Sequence, residues 1–201
     1  MKFTIQREQL LKTLQLVTGV VERRQTLPVL ANLLVRATEN QLELTGTDLE
    51  VELVGVCNAR VEQPGEVTLP ARKLADIWRS LAEGAEVSIQ VEGDRAVVRS
   101  GRSRFTLATL PAADFPKVST GESDVAIDVG QDALKTLIDD VSFAMAQQDV
   151  RYFLNGMLLE VTGDYIRAVA TDGHRLAMAT HEVGSAVASR VRAIIPRKRR
   201  A

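Results

Sequence analysis

Few residues in this chain have the types and spacing that do chemistry. There are two histidines, His174 and His181, seven positions apart, with no acidic or cysteine partner at the spacing a metal site needs. Asp172-Gly173-His174-Arg175 sets an acid beside a histidine, but no nucleophile elbow accompanies it, so the segment reads as a turn that shapes a surface. A hydrolase built on Asp172 and His174 is the weakest of the readings weighed. Cys57 is the one cysteine; it can form neither an internal disulfide nor a multi-cysteine metal site, and its apolar strand makes it a small core residue. No Walker-type or dinucleotide-type glycine loop is present. No metal, cofactor or catalytic residue is therefore expected.

The cations are more informative. Arg23 and Arg24 follow the first predicted helix, Arg72, Lys73 and Arg79 lie at or on the second, and Arg197 and Lys198 sit near the end. Lys12 and Lys135 occupy the polar faces of the first and third predicted helices. Such residues form either a solvated helix face or a cationic wall turned toward phosphate. Arg99, Arg102 and Arg104 flank a predicted hairpin and could equally keep an edge strand soluble.

The elements that must position these residues follow from hydrophobic period. Phe3 and Ile5 alternate with polar neighbours as a short strand, and Leu10, Leu11, Leu14 and Val17 stripe a helix over about 7–18. Strands are expected over 27–37, 42–44 and 49–56. The order then recurs: a strand at 67–69, a helix striped by Leu74, Ile77, Trp78 and Leu81, and strands at 87–91, 96–99 and 104–110. Each half of the first domain thus reads as strand, helix, three strands. After a polar, proline-flanked stretch come a strand at 125–129, a helix striped by Leu134, Leu137, Ile138 and Val141, and strands at 153–161, 166–171 and 176–180.

The chain also repeats itself. Leu11-Lys12-Thr13-Leu14 returns as Leu134-Lys135-Thr136-Leu137, Leu30–Leu34 matches Leu154–Leu158, Thr47-Asp48 matches Thr171-Asp172, and Leu69–Lys73 matches Ile195–Lys198. Four ordered matches at nearly constant spacing indicate a duplicated domain of roughly 120 residues. The expected division is a first domain over 1–118, a linker over 119–124 and a second domain over 125–201. A full second copy would run to about residue 240, so the second domain is expected to be incomplete, and Arg199-Arg200-Ala201 breaks register with the first copy.

Composition bounds the alternatives. The 201 residues (22.0 kDa) are 45% hydrophobic and 25% charged, ordinary for a globular protein and too apolar for disorder. With 25 Lys+Arg against 26 Asp+Glu the net charge is −1, which excludes a basic tail-like or polyacidic binder. The N-terminus turns charged before a secretory apolar core could form, and no run reaches membrane-span length, so a cytoplasmic location is expected.

Met1–Thr4, Thr26–Leu34, Leu44–Glu50, Arg99–Phe105 and Leu110–Pro116, then Gln148–Met157 and Ala170–Ala177, together resemble the bacterial replicative sliding clamps, the beta subunits of DNA polymerase III. The resemblance runs from residue 1 to about 198. It implies an α+β DNA-clamp fold in which helices lie on one face of antiparallel sheets, and a scaffold in place of an enzyme. By this resemblance, two chains of three domains join head to tail as a homodimeric ring around duplex DNA and tether the replicative polymerase for processive synthesis. A ring that slides needs only weak phosphate contacts without base specificity. The resemblance carries DNA contacts onto Arg24, Arg72, Lys73, Gln148, Tyr152, Phe153 and Lys198; of Tyr152 and Phe153, one is expected to pack inward. It also carries one wall of a pocket for short peptides of the polymerase and clamp loader onto Leu154, Thr171, Gly173, His174, Arg175 and Leu176. The third domain and the ring-closing face it bears would then be absent. The alternative reading is a short, non-ring interaction protein that binds clamp partners weakly or not at all.

Overall fold

The computed structural model describes residues 1–21, 27–49, 51–116, 126–184 and 189–197. The chain divides into two compact units, parted within 117–125. Among the described residues no helix is long and apolar enough to cross a membrane.

In the first unit the strands are β1 (Lys2–Gln6), β2 (Asn32–Thr38), β3 (Gln41–Thr47), β4 (Glu52–Asn58), β5 (Arg60–Gln63), β6 (Gly65–Pro70), β7 (Glu86–Glu92), β8 (Arg95–Ser100) and β9 (Ser103–Ala108). Helix α1 (Arg7–Thr18) follows β1, and α2 (Ala71–Ser80) follows β6. Two antiparallel sheets form, in the orders β5-β1-β7-β8-β9 and β4-β3-β2-β6. One core joins both sheets to both helices: Phe3, Leu14, Leu33, Leu44, Leu69, Trp78 and Ile89 are all buried in it. The apolar stripes read from sequence are the buried faces, Leu10, Leu14 and Val17 on α1 and Leu74, Ile77 and Trp78 on α2. Helix α1 lies close on β3 and β4, where glycines leave room. A Cβ on Gly55 would stand 2.4 Å from Thr13 Cγ2, and one on Gly46 would stand 3.0 Å from the Val17 carbonyl oxygen.

The second unit has α3 (Gln131–Ser142) and one antiparallel sheet of β10 (Gly156–Val161), β11 (Tyr165–Thr171), β12 (Leu176–Glu182) and β13 (Val191–Pro196), ordered β12-β11-β10-β13. Leu137, Val141, Met145, Met157, Val161 and Ile166 form its core. The duplication is visible element by element. Helix α3 and strands β10, β11 and β12 each begin 124 residues after α1, β2, β3 and β4, and the sheet order is the same. Register is kept as well: Asn32 faces Pro70 in the first unit, and Gly156 faces Pro196 in the second.

One row of side chains is duplicated with its charges inverted. Arg36 on β2 reaches Glu43 on β3 and Glu66 on β6, each at 3.3 Å. At the matching position Glu160 on β10 is buried and accepts from Arg192 on β13 at 2.8 Å, with Arg167 on β11 at 3.5 Å. Arg190 (3.6 Å) and the Tyr165 hydroxyl (3.0 Å) complete its shell. The Arg192 guanidinium foremost, with help from Tyr165, holds the Glu160 carboxyl below its ordinary range against the effect of burial.

Several elements differ from expectation. The stretch 27–37 begins as a 3-10 turn over Pro28–Ala31, because Pro28 lacks an N–H and its fixed φ suits a turn. Its counterpart Tyr152–Asn155 does the same, so β10 starts at 156 and not at 153. The expected strand at 49–56 starts at Glu52, after a turn that puts Leu49 at φ +77°. Short β5, rich in polar residues, carries too little apolar alternation to be read, and it pairs beside β1. Strand β13 was legible only as a repeat match. Residues 126–130 form no strand, and 125 lies outside the described residues. In the first unit β1 is held between β5 and β7; among the described residues of the second unit no strand plays either part. Cys57 is half-buried at the core margin, where burial raises its thiol pKa.

Candidate functional site

In the second unit, function-bearing residues gather around one turn. Thr171 ends β11, and its hydroxyl donates to the Arg175 carbonyl (2.7 Å) while accepting from the Gly173 N–H (3.1 Å). The N–H groups of His174 and Arg175 both donate to Asp172 Oδ1 at 3.0 Å, and Arg175 Nε donates to Oδ2 at 2.9 Å. These donors, the Arg175 amide first, hold the Asp172 carboxyl below its usual range. Asp172 binds the backbone of His174, so a turn stands where an acid–histidine dyad could have been. The first unit repeats the knot: Thr47 Oγ1 donates to the Val51 carbonyl, Leu49 N–H to Thr47 Oγ1, and Val51 N–H to Asp48 Oδ1. Gly173, at φ +89°, occupies the place of Leu49.

Opposite this turn lies the loop after α3. Its staple is Asn155, whose side chain accepts from Asp149 N–H and donates to the Asp149 carbonyl, each at 2.9 Å. Asp149 in turn takes the Arg151 amide at 2.8 Å and the Arg151 guanidinium at 3.0 and 2.9 Å. The Arg151 guanidinium foremost holds the Asp149 carboxyl down at about 2. Gln148 is thereby fixed at φ +59°, unusual for a residue with a side chain. Between loop and turn is an open depression of about 440 Å³ lined by Met145–Asp149, Asp172, His174 and Arg175. The Arg175 guanidinium lies 5.6 Å from the Phe143 ring centre, and Arg151 approaches within 3.4 Å of the space a Cβ on Gly173 would fill.

Of the residues singled out for a peptide pocket, His174 and Arg175 line this depression; Thr171 and Gly173 build its turn. Leu176 is exposed at the start of β12. Leu154 is half-buried outside the lining, its carbonyl accepting from the Ala146 N–H. Gln148, singled out for DNA, lines the same depression. Tyr152 and Phe153 sit edge to face at 6.0 Å on the 3-10 turn, 81% and 48% exposed. Neither packs inward, contrary to the expectation for one of them, because a turn and not a strand carries them. Arg72 and Lys73 occupy the first turn of α2, exposed and without an ion pair among the described residues. Arg24 and Lys198 lie outside the described residues. Asp149, Arg151 and Phe143 were not singled out from sequence, although Asp149-x-Arg151 lay inside a quoted motif. Among the described residues no group of three or more His, Cys, Asp and Glu could hold a metal ion.

Comparison with known proteins gives matches along the whole chain. The family described as DNA polymerase III beta subunit, N-terminal domain, matches residues 1–119, and the one described as its central domain matches 128–201. The beta sliding clamp of Pseudomonas aeruginosa is 59% identical over 98% of this chain and 54% of its own length. That of Escherichia coli K12 is 53% identical with the same coverage. Among solved structures, the DNA polymerase III subunit beta of Pseudomonas aeruginosa superposes with a TM-score of 0.93 at 57% identity, and that of Caulobacter crescentus with 0.91 at 43%; both cover 98% of this chain and 54% of the other. The chain spans about half the length of the curated relatives it matches.

Proposed function

This chain belongs to the DNA polymerase III beta subunit family, and from that premise we propose that it supplies two successive domains of a DNA sliding clamp. The observation that carries this reading is the match of the family's N-terminal and central domains, in order, to residues 1–119 and 128–201. The part is mechanical and non-enzymatic. Arg24, Arg72, Lys73 and Lys198 neutralise phosphates of duplex DNA, while Gln148, Tyr152 and Phe153 add hydrogen bonds and contact area without reading bases. Exposure of Arg72, Lys73, Tyr152 and Phe153 supports this assignment. Encirclement belongs to a ring of two head-to-tail chains, each with a third domain, and processive synthesis follows from that topology.

Short peptides of the replicative polymerase and the clamp loader dock on the surface built by Leu154, Thr171, Gly173, His174, Arg175 and Leu176. The support is an open depression lined by Arg175, which Asp172 pins, and an exposed leucine beside it. A Pseudomonas aeruginosa relative is described as bound to griselimycin, which accords with a ligand-taking surface in the family.

Retention on DNA tests the proposal. The chain is mixed with nicked circular duplex, clamp loader and ATP, and the circle is then linearised. Salt-sensitive association indifferent to linearisation is the expected result for these two domains without a closed ring. Loss on linearisation would mean that this chain closes a ring unaided. Absence of any association at low salt, with the fold intact, would overturn the DNA-facing assignment.

A further inference from the structure

Gln148, Tyr152 and Phe153 lie in one short stretch, and a side chain outside that set ties the stretch together. Asn155 is the last residue before β10 and is fixed against the sheet. Its carbonyl accepts from the Arg197 N–H at 2.8 Å, and a Cβ on the next residue, Gly156, would meet the Ile195 carbonyl. From this post the Asn155 side chain accepts from the Asp149 N–H and donates to the Asp149 carbonyl, each at 2.9 Å. Both peptide groups that flank Asp149 are thereby held. Gln148, immediately before, stands at φ +59°, a left-handed conformation that persists only where neighbouring contacts fix it. On the other side the Asp149 carboxylate takes the Arg151 amide at 2.8 Å and the Arg151 guanidinium at 2.9 Å, and Tyr152 follows directly.

The duplication shows that the fold does not require this staple. Asn155 corresponds to Ala31, which has no polar side-chain atom, yet the turn Pro28–Ala31 forms and β2 follows it. The same backbone bond closes both turns: Leu30 N–H to the Leu27 carbonyl at 3.1 Å, and Leu154 N–H to the Arg151 carbonyl at 2.8 Å. What Asn155 adds is a hold on the residues ahead of the turn. Burial does not supply that hold. Gln147, Gln148, Arg151, Tyr152 and Phe153 are exposed, and Val150 is 97% exposed. Hydrogen bonds keep the arrangement, so the loss of one post is not offset by packing.

We propose that Asn155 is a positioning residue for duplex DNA: by clamping Asp149 it presents Gln148, Tyr152 and Phe153 in one fixed arrangement. The inference rests on the clamp reading given above. Asn155 acts through these three and not by contact, since both its side-chain polar atoms are turned onto Asp149. Uncharged contacts that do not read bases are each weak. Ordering a loose loop as DNA binds would cost as much as they return, so their contribution depends on an arrangement made beforehand.

Anisotropy with a fluorescent duplex at several salt concentrations compares the 201-residue chain with its Asn155→Ala variant. Binding roughly fivefold weaker at low salt is expected. The slope of log K against log salt should stay that of the parent, because no phosphate-neutralising cation is removed. Added to a chain that already carries Gln148→Ala, Tyr152→Ala and Phe153→Ala, the same substitution should weaken binding less than about twofold further. Equal affinity of parent and Asn155→Ala overturns the proposal. So does a slope reduced by about 0.9 or more, which means a lost phosphate contact. So does the full loss recurring in the triple variant, which marks a general structural role. Alanine already stands at the matching turn, so Asn155→Ala should fold. Should it not, Asn155→Asp, which keeps the acceptor for the Asp149 N–H and loses the donor to its carbonyl, decides by the same comparison of two backgrounds, in which its added charge cancels. A parent that binds no duplex at low salt overturns the clamp reading and this inference with it, an outcome recognised from the parent alone.

Discussion

Arg72 and Lys73 stand in the first turn of α2, a helix with no acidic residue in that turn. Cations there face the positive end of the helix dipole, each at a cost of about 0.3–1 kcal/mol when exposed. No described carboxylate forms an ion pair with either, and Asp76, one turn on, pairs with Arg79. Replacing both with alanine should therefore stabilise the first unit by roughly 1 kcal/mol, a rise of about 4 °C or more in its melting temperature. If both contact phosphate, the same variant should bind duplex DNA more weakly and with a shallower salt dependence. Each lost contact removes about 0.9 from the slope of log K against log salt, so two remove about 1.8. Between about 50 and about 200 mM salt, the unaltered chain should then lose about twelvefold more affinity than the variant. Anisotropy with a fluorescent duplex at several salt concentrations, beside thermal melts, measures both. A more stable variant whose salt slope equals that of the parent would refute the phosphate assignment and leave the two cations as solvated helix residues.

Gly55→Ala should destabilise the first unit by about 1–2 kcal/mol in urea melts, since overpacking against Thr13 outweighs the gain in backbone entropy; adding Thr13→Ser, which removes the obstructing methyl, should recover most of it. Gly173→Ala should cost about 1–2 kcal/mol through its left-handed backbone, while Leu49→Gly at the matching turn should gain less than about 1 kcal/mol. Asp149 binds its proton more weakly folded than unfolded, so its contribution is complete above pH 3.8 and is lost as pH falls toward about 2. The Arg151 amide should lose hydrogen-exchange protection across that window, and Asp149→Asn should erase the pH dependence. Limited proteolysis should cut the chain after about residue 116 and leave the first unit intact, because its core joins two sheets and two helices while the second unit covers one sheet with one helix.

What could be read in the residues depended on period. Leu10, Leu14 and Val17, and Leu74, Ile77 and Trp78, recur at helical spacing because one face of each helix is buried, and that regularity survives in one dimension. Strand β5 could not be found, since Arg60–Gln63 is held by pairing with β1, some 58 residues away, and not by its own alternation. Tyr152 and Phe153 looked like strand residues until the turn corresponding to Pro28–Ala31 carried them outward. Thr171 to Leu176 were nameable by resemblance. The loop that faces them was not, because Asp149, Arg151 and Asn155 hold one another through hydrogen bonds that leave no periodic trace.

The inverted charges on the two sheets bear on how such a chain avoids confusing its own halves. Two units of one topology and one register, tethered together, could exchange strands while folding. If β10 paired with β3 in the first unit's register, Glu160 would face Glu43; if β2 paired with β11, Arg36 would face Arg167. Like charges directly opposed across a sheet are penalised, and the correct pairings put opposite charges in both places. One polar row thus works as a key that keeps each copy to itself.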